Sequence, residues 1–181
     1  GLPEGKVPVM EIPKREHEPL EIAEQLVSSM ANPPLIKHGY AQASYSPSQD
    51  RIAMPDPETF HTGESYYAAL FHELSHGTGH EKRLARKAIL ETANFGSHQY
   101  SQEELVAEMT SAFLCGYCGI LMSTETNQAA YLKGWLKRLK SDPTMLVKAG
   151  GEAQKAFEFI MNDAGQVEWF DEAGEARREA A

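Results

Sequence analysis

The sequence contains little cysteine and no long hydrophobic run. Its two cysteines, Cys115 and Cys118, are too few for the disulfide framework that supports small secreted domains. The longest apolar run, Ala112 to Met122, is shorter than the about 20 residues that a membrane-spanning helix needs. The first residues also lack the basic and apolar stretches of a secretory signal. We therefore expect a protein of the reducing cytoplasm that has no contact with a membrane.

Basic residues are scarce relative to acidic ones. The chain has 17 Lys and Arg against 26 Asp and Glu, for a formal net charge of −9. Because proteins bind nucleic-acid phosphates through Lys and Arg, this balance argues against a DNA-binding surface, and a DNA-binding role would need another domain. The first residue is Gly rather than Met, which suggests either a trimmed tag or an excised piece of a longer protein.

Length and composition predict one globular domain between two irregular segments. The 181 residues, 41% of them apolar, are enough for one hydrophobic core. Residues 1–18 have three prolines and no hydrophobic periodicity, which is typical of a linker or N-terminal arm. Residues 165–181 have the composition of an acidic, solvated tail. We place the domain at residues 19–164.

Hydrophobic spacing predicts a small sheet among several helices. The predicted strands lie at residues 35–38, 41–45 and 51–54. The predicted helices lie at residues 19–30, 64–77, 101–114, 128–140, 143–149 and 152–161. The third strand runs into Pro55 and Pro57, which favours an edge strand that an extended peptide can join.

Local signals set the expected ends of two of these helices. Gly77 and Gly79 are expected to terminate the helix that starts near residue 64. Ser101 and Glu104 have the spacing of a capping box at the start of the next helix. We expect the lone C-x-x-C of Cys115 to be made of buried, small apolar residues, because no second cysteine pair accompanies it.

An H-E-x-x-H motif occupies residues 72–76 of a predicted helix. Its spacing places His72 and His76 about one helical turn apart on one face, where both imidazoles can bind one ion. Zinc accepts neutral imidazole nitrogens, and a catalytic zinc site keeps one position open beside three protein ligands. Glu73 can flank that position and accept a proton from a water molecule as a general base. A lone motif of this length also recurs by chance, so its helical context matters.

The third ligand is expected from the acidic segment that follows. Glu104 and Glu108 are four residues apart and share one helix face, so Glu104 can bind the metal while Glu108 holds a ligand imidazole. Glu103 points about 100° away from Glu104. The alternative for these acids is a solvated helix N-terminus, where the helix dipole favours negative charge.

Further polar residues are candidates for contact with substrate. His80 lies four residues after His76, but the glycines between them are expected to end the helix, so we place it around the ligands or facing substrate. Tyr100 or His80 is a candidate to stabilise an oxyanion. A third histidine ligand of the metzincin type would fall at position 82, which is Lys82, and this disfavours that arrangement.

Taken together, these motifs resemble the zincin-like domain of ArdC-type antirestriction proteins over roughly residues 35–162. The residues that carry the resemblance are at 50–55, 66–67, 72–76, 78–80, 83–84, 103–108, 130–132, 135, 139, 142 and 153–156. The resemblance implies an α+β zincin-like fold, in which a small sheet with an edge strand packs on the motif helix and C-terminal helices support it. It carries His72 and His76 over as metal ligands, Glu73 as catalytic acid or base, and segment 103–104 as the source of the third ligand.

The same resemblance implies a bacterial, plasmid- or phage-associated protein that evades host restriction. In such proteins an N-terminal domain that binds single-stranded DNA precedes the metallopeptidase-like domain, so contact with DNA is expected only through a part absent from this chain. We expect Zn2+ as the cofactor and a protein or peptide substrate, cleaved by zinc-activated water with an extended substrate near residues 52–54. Two alternatives stay open: a non-proteolytic acidic interaction domain with a structural metal, which blocks a DNA-acting enzyme by imitating DNA, and a hydrolase of other amides or esters.

Overall fold

The computed structural model describes residues 16, 18, 20–91, 98–120, 143–161, 169–170 and 176–177. Within them the chain combines a three-stranded sheet, a two-stranded sheet and five α-helices, so the predicted α+β class holds for these residues. The predicted helix at 128–140 lies outside the described residues, as does most of the predicted arm at 1–18. The domain limits at residues 19 and 164 stay predictions.

The first helix, α1, spans Glu21–Ser29 and confirms the predicted amphipathic helix. Its apolar side places Ala23 and Leu26 in the main hydrophobic core. The Tyr67 hydroxyl donates a hydrogen bond of 2.6 Å to Glu24 Oε1, and this fastens α1 to the motif helix. The chain then leaves the helix before Pro33-Pro34, as expected from the residues that proline excludes from helices.

Three short strands form one sheet, in which the predicted edge strand is central. The strands are β1 (Leu35–Lys37), β2 (Ser44–Ser46) and β3 (Arg51–Ala53). Their order is β1-β3-β2, with β1 parallel and β2 antiparallel to β3. The edge assignment for residues 51–54 was therefore wrong. Pro55 follows the last ladder bond, in which Met54 N–H donates to Lys37 O at 2.8 Å, so the prolines end the strand without excluding it from the centre.

The motif lies on helix α2, which spans Gly63–Thr78. Thr62 caps its N-terminus, because its hydroxyl oxygen accepts a bond of 3.2 Å from the Ser65 backbone N–H. One face of the helix packs on the sheet in the main core. That contact joins Tyr67, Leu70, Phe71 and Leu74 of α2 to Ile52 and Met54. A further face of α2 contacts the next long helix along the chain, α4, which spans His98–Tyr117.

Two glycines at the end of α2 lie close to neighbouring side chains. Gly79 caps the helix, as predicted, but with a right-handed φ of −77°, and Gly77 lies inside the helix, so its predicted role as terminator was wrong. A Cβ at Gly77 would lie 3.2 Å from Pro34 Cγ, and a Cβ at Gly79 would lie 2.6 Å from Ile89 Cγ1. A side chain at Gly79 would therefore force its neighbours to move, whereas one at Gly77 would make a tight contact with Pro34.

A buried arginine joins the sheet to the end of α2. Arg83, whose side chain is fully buried, pairs with the Asp50 carboxylate and donates a 2.6 Å bond from Nε to Gly77 O. Burial opposes ionisation of Asp50, but hydrogen bonds from Arg83 and Tyr45 outweigh it and hold its pKa below the usual value. Asp50 itself has a positive φ of 45° in the turn before β3. Arg83 thereby fixes this turn against the motif helix.

The remaining described helices are α3 (Lys87–Leu90) and α5 (Pro143–Ile160). Helix α4 begins at His98, so Ser101 and Glu104 lie inside it and the predicted capping box is wrong. Ser101 is buried within the helix. The two predicted helices at 143–149 and 152–161 form the single helix α5.

Helix α5 packs against α4 in a second apolar cluster. Its described members are Leu105, Val106, Met145, Ala149 and Ala153, with Met109 against them. Gly150 lies in this contact, where an added Cβ would meet Met109 Cε at 3.4 Å. The C-terminal segment predicted as a tail contains strands β4 (Trp169–Phe170) and β5 (Ala176–Arg177), which pair antiparallel.

Replacing Gly79 by Ala is expected to lower the free energy of unfolding by about 1–3 kcal/mol, because the new methyl group overlaps Ile89. The matched control is Gly116→Ala in α4, where no atom lies within 4 Å of the added Cβ. This control is expected to gain about 0.5–1 kcal/mol from helix propensity. Urea unfolding followed by circular dichroism measures both, and a Gly79→Ala variant as stable as the control would contradict the packing argument.

Candidate metal centre

The interface between α2 and α4 brings together three of the predicted site residues. His72 and His76 project from α2 and Glu104 from α4, and one ligand atom of each lies within 4.8 Å of the other two. The two Nε2 atoms are 3.2 Å apart. Glu104 places one carboxylate oxygen 3.7 Å from His72 Nε2 and the other 3.7 Å from His76 Nε2.

These separations fit one small divalent cation. Ligand atoms bound at about 2.0–2.1 Å in tetrahedral geometry lie about 3.3 Å from one another. The observed separations of 3.2 and 3.7 Å lie near that value. Two imidazole nitrogens and one carboxylate oxygen are also the donor set of an open, catalytic zinc site. Among the described residues this group has three donors, so no fourth protein ligand closes it.

The other nitrogen of each imidazole contacts a different carboxylate. His72 Nδ1 lies 3.3 Å from Glu108 Oε1, which is the contact expected if Glu108 holds a ligand imidazole. His76 Nδ1 lies 3.2 Å from Glu103 Oε1. Such carboxylates orient a ligating ring and select the tautomer that leaves Nε2 free for the metal. The reading of these acids as a solvated helix end does not hold for Glu103, which is 6% exposed.

Arg86 is part of this site, although no local pattern in the sequence indicated it. It is 7% exposed, and it donates from Nε and Nη2 to the two oxygens of Glu103, at 2.9 and 2.6 Å. Arg86 is the N-cap residue of α3 and lies eight residues beyond the end of α2. The one available signal was an arginine soon after the motif in a chain with few basic residues, and that signal is weak.

The electrostatics of the site favour bound positive charge. Burial favours the neutral imidazole of His72, but hydrogen bonds with Glu104 and Glu108 outweigh it and raise the pKa of His72 to about 10. Burial raises the pKa of Glu104, but a hydrogen bond with His72 and charge interactions with His76 and His72 outweigh it and hold the pKa below its usual value. A metal cation that binds here takes the place of a proton between these groups.

The other predicted site residues occupy distinct positions around this group. Glu73 is buried beside His72 and is not one of the three grouped donors, as expected for a base that is not a ligand. Tyr100 forms a hydrogen bond with Glu104, next to the group. His80 lies in the turn after α2, where its Nδ1 accepts a 3.3 Å bond from the Lys82 N–H. The structure does not bring His80 into the grouped donors.

The cysteine pair lies at the end of α4. Cys115 is buried and Cys118 half-buried, and both are free thiols. Burial, with a smaller effect of Cys115, raises the pKa of the Cys118 thiol to about 11. A thiol held protonated is a poor nucleophile, in line with the predicted role as small apolar residues. No helix in the part of the chain that the structure describes is long and apolar enough to cross a membrane.

Two known proteins are similar to this chain in sequence. The chain is 34% identical over 145 residues to the protein y4eC of Sinorhizobium fredii (strain NBRC 101917 / NGR234), covering 80% of this chain and 46% of y4eC. It is 36% identical over 156 residues to DNA primase TraC of Escherichia coli, covering 86% of this chain and 14% of TraC. The chain thus spans less than half the length of these two relatives.

Solved structures agree with these matches. The Mn(II)-bound antirestriction ArdC protein from the R388 plasmid superposes with a TM-score of 0.63 at 33% identity, covering 85% of this chain and 55% of ArdC. The metal-free ArdC structure gives a TM-score of 0.61, covering 83% of this chain and 52% of ArdC. The model of a family described as zincin-like metallopeptidases matches residues 21–152. The predicted ArdC-type resemblance and zincin-like fold are therefore confirmed, and the chain belongs to the zincin-like metallopeptidase family.

Proposed function

We propose that this chain is a metal-dependent peptidase domain in which His72, His76 and Glu104 hold one divalent cation. The observation that carries the proposal is the convergence of these three donors with no fourth protein ligand among the described residues. The donor set favours Zn2+. The Mn(II) bound in the ArdC structure supports a divalent cation in this chain and makes Mn2+ the second candidate.

Peptide hydrolysis would divide the chemistry between the cation and the protein. A bound cation supplies Lewis acidity, which polarises a carbonyl oxygen and lowers the pKa of a water molecule. Glu73, buried beside His72, accepts the proton of the attacking water and then donates it to the leaving amine. Tyr100 and His80 remain the two candidates to stabilise the oxyanion; the single O–H of Tyr100 is directed to Glu104 and would have to leave it to donate there.

The substrate is proposed to be an extended peptide at a sheet edge. The predicted position near Ile52 is unavailable, because β3 pairs on both sides. Strand β2 is an edge of the described sheet. Cε2 of its Tyr45 would lie 3.7 Å from a Cβ atom added to Gly77, near the end of the motif helix. A peptide added to β2 would therefore run beside the helix that carries the histidines.

The biological setting is proposed from ArdC, about half of whose length this chain matches. We propose that the chain is the zincin-like part of a longer antirestriction protein of the bacterial cytoplasm, with single-stranded DNA bound by another domain. Residues 1–18 then serve as a linker to that domain, and residues 165–181 as an acidic C-terminal extension. The interaction-domain alternative is not favoured, since it requires a closed structural site and the described group is open.

Metal binding is the first test of the site. Wild-type protein incubated with Zn2+ or Mn2+ and desalted is expected to retain about one ion per chain by inductively coupled plasma mass spectrometry. A His72→Ala, His76→Ala variant is expected to retain none. The matched control is Glu73→Gln, which leaves all three donors in place and should keep the ion. Retention by the double variant, or loss by wild type, would contradict the proposed ligands.

Peptide cleavage tests the role of Glu73. The Glu73→Gln variant is expected to lose at least about 100-fold in rate, because it removes a general base while leaving the ligands intact. A tryptic peptide library from a bacterial lysate serves as the probe, and mass spectrometry counts the new termini. Wild type with a chelator gives the background. Equal cleavage by wild type and Glu73→Gln would exclude Glu73 as the base, whereas no cleavage by metal-loaded wild type would favour the non-proteolytic alternative.

A further inference from the structure

Arg86 bridges the two helices that supply the metal site. Its side chain, 6% exposed, reaches from the N-cap of α3 into the interface of α2 and α4. On the α4 side it holds both carboxylate oxygens of Glu103 with donor distances of 2.9 and 2.6 Å. A planar guanidinium bound to a carboxylate through two bonds fixes the orientation of that carboxylate as well as its distance.

The same guanidinium donates two hydrogen bonds to the last turn of α2. Its Nη1 donates to Thr78 Oγ1 at 2.6 Å, and its Nη2 donates to Ser75 O at 2.7 Å. Carbonyl groups in the last turn of a helix lack the full set of intrahelical partners and carry partial negative charge, so a buried cation is well placed there. Arg86 is therefore hydrogen-bonded to both helices, and these four hydrogen bonds are buried.

Glu103 connects this bridge to a ligand. Its Oε1 accepts from Arg86 and also lies 3.2 Å from His76 Nδ1. The following residue in α4 is Glu104, the acidic donor of the grouped ligands. Any movement of Glu103 would therefore alter the orientation of the His76 ring and the place of Glu104 relative to α2.

We propose that Arg86 is a positioning residue of the metal centre, acting through Glu103 to orient His76 and to set the spacing of α2 and α4. The inference rests on the proposed metal site. It also distinguishes the two histidines. His72 Nδ1 faces a different carboxylate, Glu108, at 3.3 Å, whereas Arg86 is paired with Glu103, so the loss of Arg86 is expected to act on the His76 side of the site.

The test is a double-mutant cycle on metal affinity. Competition with a chromogenic chelator gives the Kd for Zn2+ of wild type, Arg86→Met, Glu103→Gln and the double variant. Loss of a partner that orients a ligand typically weakens metal binding about 10- to 100-fold. We expect that loss in Arg86→Met and in Glu103→Gln, with no further loss in the double variant, because Arg86 acts through Glu103.

A matched control separates positioning from general stability. Arg83→Met removes a second buried arginine that also bonds the end of α2, at Gly77 O, but pairs with Asp50 rather than Glu103. Urea unfolding of the metal-free proteins is expected to show that both arginine variants are destabilised. The Kd for Zn2+ is expected to stay within about 2-fold of wild type in Arg83→Met. If Arg86→Met does not fold, Arg86→Lys, which keeps the charge but not the planar fork, takes its place in the cycle.

The possible results separate the inference from the site on which it rests. Three results would overturn the positioning role while leaving the metal site intact, provided that wild type binds Zn2+. These are an unchanged Kd in the Arg86 variant, additive losses in the double variant, and a loss in Arg83→Met equal to that in Arg86→Met. Absence of Zn2+ binding by wild type would overturn both. Non-additive losses confined to Arg86 and Glu103 support the proposal.

Discussion

Negative charge buried between α2 and α4 is the constraint on which the site depends. Four carboxylates, those of Glu73, Glu103, Glu104 and Glu108, lie in or beside this interface. A buried carboxylate without a cation or several donors is strongly unfavourable. The chain satisfies the need with Arg86 for Glu103 and with imidazoles for Glu104 and Glu108. A divalent cation between the two Nε2 atoms and Glu104 would complete the balance.

The histidine contacts of this helix pair are symmetric. Each imidazole directs Nε2 toward the common group and Nδ1 toward its own carboxylate. Glu103 and Glu104 are adjacent in α4 and make different contacts. Glu103 contacts His76 Nδ1, and Glu104 places its oxygens near the two Nε2 atoms. This arrangement requires α4 to lie close to α2 along the motif, and Arg86 is hydrogen-bonded to both helices there.

The comparisons describe a domain that recurs within longer proteins. Most of this chain matches 46% of y4eC, 55% of ArdC and 14% of TraC. The matched region includes the motif helix and the acidic segment of α4, since the family model covers residues 21–152. In this chain the hydrophobic core and the donor group both lie within the described residues, as expected of a domain.

The sequence by itself determined the motif helix, its two histidines and the acid pair Glu104 and Glu108, because helical periodicity makes the relative direction of residues within one helix predictable. It did not determine the strand order, since Pro55 acts only after the last ladder bond and leaves β3 free to be central. It also did not reveal Arg86, whose partners lie on two different helices and share no local pattern with it. The packing of α4 on α2 decided that Glu104 lies near the two histidines and that Glu103 pairs with Arg86. Packing between elements depends on side-chain shape and burial, which no single segment contains.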